Sequence, residues 1–82
     1  MEKLIKEYVD KLKEEDIKKF VIKKGITINE NELRVIYMYI KNYWQIFLKG
    51  DPNPLFNELK EKLSPNVYKA TYNMYNEYKS KF

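Results

Sequence analysis

From Leu33 to Leu48 the chain reads Leu-Arg-Val-Ile-Tyr-Met-Tyr-Ile-Lys-Asn-Tyr-Trp-Gln-Ile-Phe-Leu. At about 100° per residue, Arg34, Lys41, Asn42, Gln45 and Lys49 share one arc of about 100°, interrupted by Met38. Everything else on the wheel is apolar or aromatic. A helix with one neighbour needs an apolar stripe only a little over ~100° wide. This one needs two or three neighbours, which predicts the central helix of a bundle. It is too short and too often broken by polar residues to span a bilayer, which takes about 20 apolar residues. Leu33, Ile36, Ile40, Trp44 and Phe47 centre the face expected to be core. Val35, Tyr39 and Ile46 make a second flank, where a partner is expected if there is one.

Local signals set the boundaries. Asn29 is a good N-cap with Glu32 at N3, and Ile28 and Leu33 stand at the two positions of a hydrophobic staple. The central helix should therefore run from about residue 30 to Lys49 and end at Gly50. Upstream, Leu4, Ile5, Tyr8, Val9 and Leu12 form one apolar stripe, predicting a helix from Glu2 to about Glu14. The stripe then slips in phase to Ile17, Phe20, Val21 and Ile22. Glu14, Glu15 and Asp16 suit the acidic first turn of a second helix over about 15–24, ended by Gly25 in a left-handed conformation. A single bent helix over 2–24 is the alternative, since no proline or evident cap marks the break. Downstream, Asp51-Pro52-Asn53-Pro54 stops any helix. Asn53 reads as the cap of a short helix carrying Leu55, Phe56, Leu59 and Leu63, with Pro54 at its first position. Ser64-Pro65 repeats that signal and opens a last helix bearing Val67, Tyr68, Ala70, Tyr72, Met74, Tyr75, Tyr78 and Phe82. The expected fold is all-α: a compact bundle of four to five helices in a single domain over 1–82, with the central helix at about 30–49.

The composition removes much chemistry. With no cysteine and no histidine among 82 residues, the usual neutral-pH base, the thiolate nucleophile and the common zinc sites are all missing. Carboxylates remain, but no pair is placed where burial would tune it. Asp51-x-Asn53 starts like a calcium loop, yet it lacks the loop's glycine and has Lys62 at the twelfth place. Two glycines cannot build a phosphate-binding loop. The reading is a non-enzymatic protein with no cofactor and no metal. The N-terminus alternates charge where a secreted chain would carry an apolar run, so a cytoplasmic location is expected. The abundance of Lys, Asn, Ile and Tyr, all with AT-rich codons, suits a low-GC genome.

The net charge of +4 is spread along the chain, and the basic set is fifteen lysines and Arg34. A nucleic-acid face usually clusters its charge and uses arginine for base edges. A helix-turn-helix made of the helix over about 15–24, Gly25 and the central helix fits badly: the turn from Gly25 to Asn29 is too long, and Glu30 and Glu32 would face phosphates. Tyr68, Tyr72 and Tyr75 share a flank of the last helix beside Lys79. Burial of the rings at a core edge is favoured there over base stacking. The expected role is contact with a protein partner or a second copy, through Val35, Tyr39 and Ile46 or through Tyr68, Tyr72 and Tyr75. The alternative is low-specificity nucleic-acid binding through Lys18, Lys19, Lys23, Lys24 and Lys79.

Several anchors together resemble the YqfT-like family of small uncharacterised Firmicute proteins. They are the helix ending Phe20 to Gly25, the Gly25-Ile26-Thr27-Ile28-Asn29 lead into a long helix, the Ile46-Phe47 pair, and Leu63-Ser64-Pro65 opening the last helix. That family places Thr-Pro caps where Lys13-Glu14 and Asn29-Glu30 stand here. The resemblance implies a cytoplasmic, all-helical protein and no assigned activity.

Overall fold

The computed structural model describes residues 2–81, so Phe82 lies outside the described residues. Five helices follow in order: α1 (Glu2–Lys11), α2 (Glu14–Lys23), α3 (Glu30–Lys49), α4 (Asn53–Lys62) and α5 (Pro65–Lys81). The caps explain most of the boundaries. At the start of α3 the Glu32 N–H donates to Asn29 Oδ1 at 2.8 Å, and the Asn29 N–H donates to Glu32 Oε1 at 3.4 Å. This closes the expected capping box. At the end of α2, Gly25 has φ +77°. Its N–H donates to the Ile22 carbonyl at 2.8 Å, and that of Ile26 donates to Val21 at 3.2 Å. This is the Schellman pairing, which needs a residue at positive φ.

Helices α1 and α2 are separate, and α1 stops about three residues before its expected end. Leu12 and Lys13 join them, and the Lys13 N–H donates to the Asp16 carboxylate at 3.0 Å. Lysine has no acceptor to return that bond, which is why the break carries half a capping box. Two of the last carbonyls of α1 gain a donor from a distance. The Lys41 ammonium donates to the Val9 carbonyl and, at 3.1 Å, to that of Asp10. A cation at a helix C-terminus also opposes the negative end of the dipole. In α4, Asn53 is the first helical residue. The expected Asn53 cap is not made: Pro52 holds the N-cap position without a side-chain cap, and Asp51 Oδ1 accepts from the Asn53 N–H at 3.1 Å.

The main core joins Ile17 and Val21 of α2, Leu33 and Ile36 of α3, Phe56 and Leu59 of α4, and Val67 and Ala70 of α5. All four other helices pack on α3, which confirms it as the centre. One buried carboxylate ties two helix starts together. Glu32, only 7% exposed, accepts the Ser64 N–H at 2.8 Å and the Ser64 hydroxyl at 2.9 Å. It therefore caps α3 and holds the first residue before α5. Burial alone would raise its pKa. The bonds from Ser64 and Asn29 outweigh that and hold the carboxyl below its ordinary range.

Burial along α3 is uneven. Leu33 and Ile36 are buried, whereas Ile40, Trp44, Phe47 and Leu48 are half-buried. The face expected to be core throughout is thus core only in its first half. Length supplies a reason. Ten-residue α1 and α4 reach only about 15 Å each, against about 30 Å for twenty-residue α3. Tyr43 (φ −127°, ψ 17°) also interrupts α3, so its last turns follow a kink.

Candidate functional site

Helices α1 and α5 both lie on α3 without their backbones meeting. Among the described residues their Cα atoms nowhere come within 8 Å of one another. Between them lies an apolar cleft of about 140 Å³. Ile36, Ile40, Trp44, Phe47 and Leu48 line it from α3, residues placed on one face by steps of three and four. Ile5 and Val9 border it from α1, Met74 and Tyr75 from α5, and Phe56 and Leu59 from α4. Thr71 also reaches it, but its hydroxyl is used locally, donating to the Val67 carbonyl at 2.8 Å. Trp44, the sole tryptophan, is among the half-buried residues of this lining.

Two tyrosines bridge α1 and α5. The rings of Tyr8 and Tyr78 lie 5.2 Å apart, tilted 45°. Burial, then the hydrogen bond to Tyr78 and the nearby Asp16 carboxylate, push the Tyr8 phenol above its ordinary pKa. It stays neutral at any physiological pH. A second, more open groove of about 420 Å³ lies beside this pair. Lys11 of α1, with Lys19, Phe20 and Lys23 of α2, lines it, and Tyr8, Leu12, Asp16 and Tyr78 border both openings.

The residues singled out from sequence distribute unevenly over this surface. Tyr39, Tyr75 and Lys79 line the cleft, and Lys19 and Lys23 line the groove. Val35 is half-buried against the core, and Ile46, 40% exposed, borders neither opening. Tyr68 and Tyr72 gather with Tyr75 around Phe56, at centroid distances of 6.4, 5.0 and 5.1 Å. The tyrosine flank of α5 thus serves first as packing for α4. Tyr39 donates its hydroxyl to Glu58 at 2.9 Å, and burial together with that bond pushes its pKa to about 12. Lys18 is exposed and borders neither opening. Lys24 lies 3.7 Å from the Glu77 carboxylate and over the Phe20 ring, and Lys79 lies over the Tyr75 ring.

Sequence reasoning missed Lys11 and the Tyr8–Tyr78 bridge, and it assigned Ile40, Trp44 and Phe47 to closed core. The available signal was the early acidic turn at Glu14–Asp16, which leaves α1 too short to cover α3. Among the described residues, no helix is long and apolar enough to cross a membrane, and no group of three or more acidic, histidine or cysteine side chains could hold a metal ion. No protein-family model matches the chain, and no curated protein or solved structure matches it significantly. The YqfT-like resemblance finds no support in those comparisons.

Proposed function

We propose that the chain acts as a single helical, non-enzymatic protein-contact module of the cytoplasm, and that the cleft between α1 and α5 receives an apolar side chain of its partner. The observation that carries this reading is the cleft itself, an apolar opening between two helices with a half-buried tryptophan in its lining. Exposed aromatic and apolar surface around a concave site is the usual mark of an interaction face. Tyr39 and Tyr75, two of the residues expected at a partner surface, fall on it.

A second copy of the chain is one candidate partner. Leu4 is 59% exposed and stands one turn from Tyr8 at the cleft's edge, so a two-fold pairing of α1 helices would offer each cleft a leucine. Light scattering from ~10 to ~100 μM, read with Trp44 emission, tests this. Rising mass with a blue shift supports self-association. A constant monomer mass removes the homodimer and leaves a different protein as the partner. The nucleic-acid alternative draws on Lys19 and Lys23, which share a groove with Lys11. It predicts affinity falling steeply with salt. An unchanged anisotropy for labelled single-stranded and duplex oligonucleotides at low salt would end it.

A further inference from the structure

The Tyr8–Tyr78 pair separates an apolar opening from a cationic one. We propose that the two together recognise an acidic amphipathic segment of a partner protein: one side chain of leucine or phenylalanine size seats in the cleft, and carboxylates about a helical turn away lie against Lys11, Lys19 and Lys23. This rests on the protein-contact reading of the cleft and adds the chemistry of the partner.

Size selects the anchor. A cavity near ~150 Å³ holds one benzene-sized group, and sites for drug-sized molecules run to about 300–1,000 Å³. At about 140 Å³ the cleft fits a single side chain. Charge selects its neighbours. The groove carries three ammonium groups and one carboxylate, and that carboxylate, Asp16, already accepts the Lys13 N–H at the start of α2. Lys19 and Lys23 are four residues apart on α2, so they present their charge from one side of it. An anchor and acids at spacings of three or four residues on one helix would meet cleft and groove together. The molecule already makes one such contact just past the end of that helix, where Lys24 meets Glu77 at 3.7 Å. A nucleic acid fits less well. Tyr8 and Tyr78 pack on each other at 5.2 Å, which uses ring surface a base would need, and the adjoining cleft is apolar.

The test pans a displayed library of helical peptides against the full chain. Enriched peptides are then titrated against the wild type and a Lys11→Glu/Lys19→Glu/Lys23→Glu variant, with Trp44 emission as the readout of cleft filling. All three lysines are exposed, so the variant should fold, and circular dichroism checks that it does. The expected binders carry one large apolar residue flanked by Asp or Glu and shift Trp44 to the blue. They should bind the variant at least ~10-fold more weakly and weaken with added salt. Binders that fill the cleft but are neutral or basic, and that bind the variant equally well, overturn the acidic partner and leave the protein-contact reading standing. If no enriched peptide moves Trp44 emission, both fall. Oligonucleotide binding abolished in the variant would then assign the lysines to phosphates.

Discussion

The two halves of α3 have similar side chains and different fates. Leu33 and Ile36 are 8% and 1% exposed, whereas Trp44, Phe47 and Leu48 are half-buried and Ile46 is 40% exposed. The first half begins at a closed capping box, is tied to the start of α5 through Glu32 and Ser64, and sits in one continuous core with α2, α4 and α5. The second half follows a kink at Tyr43 and faces a gap between two helices whose backbones do not meet. Apolar content sets how much cover a helix demands. The lengths and caps of its neighbours set how much it receives.

The sharpest way to break this comparison is to truncate the well-covered half. Ile36→Ala should cost ~3–4 kcal/mol in urea denaturation, since Ile36 is 1% exposed even where it borders the cleft, and its truncation leaves a cavity. A chain of this size has a stability near ~5 kcal/mol, so the variant should be partly unfolded. A loss below about 1 kcal/mol would mean that the first half is no better packed than the second.

Next in size is the tie between the two helix starts. Glu32→Ala removes the acceptor for both Ser64 donors and for Asn29, and should cost ~2–3 kcal/mol. The same carboxylate predicts a pH response. Its pKa in the fold lies below the 4.5 ordinary for a glutamate. Its stabilisation is therefore complete above that ordinary value and is lost as pH falls through the folded one. Urea midpoints from pH 6 to pH 3 should fall more steeply for the wild type than for Glu32→Gln. Parallel curves would show that the bonds from Ser64 do not favour the charged form.

These two halves also divide what could be read from sequence. The Asn29–Glu32 box and the Gly25 turn were legible because each is built from residues within about five positions of one another. Even there, the link from Glu32 to Ser64 lay 32 residues away and carried no local signal. Lys41 looked like one more member of a solvated strip, yet it caps α1. The cleft was illegible for a related reason. A helical wheel reports which faces are apolar, and it cannot report that α1 ends at Lys11 before the cover is complete. The surplus of apolar surface was visible, but its location was not. It falls on the Ile40–Trp44–Phe47 face, beside Tyr39, and the candidate lysines split between the groove (Lys19, Lys23), the cleft edge (Lys79) and positions bordering neither (Lys18, Lys24).

A smaller effect is expected in the open half. A buried tryptophan replaced by alanine costs ~3–5 kcal/mol, but Trp44 lines an opening, so Trp44→Ala should cost only ~1–2 kcal/mol. In the wild type its emission should lie between those of a buried and a solvated indole, with partial quenching by acrylamide. Fully protected emission, together with a loss as large as that for Ile36→Ala, would mean the cleft is closed in solution and would remove the contrast between the halves.

The smallest effect concerns how α1 is held over that opening. Its backbone approaches only α3 among the other helices, and Lys41 supplies the donors for its last carbonyls. Lys41→Met keeps the aliphatic stem, removes those donors and the favourable charge at the helix end, and should cost ~0.5–1 kcal/mol. The loss should be local. Amides of α1 should exchange with solvent faster in the variant, while those of α2 and the first half of α3 keep their protection, because a helix whose backbone packs on α3 alone, with Tyr78 as its ring contact on α5, opens without unfolding the rest. Equal acceleration across all five helices would show α1 to be part of the same cooperative unit as the core, and the cleft would then open only when the whole fold does.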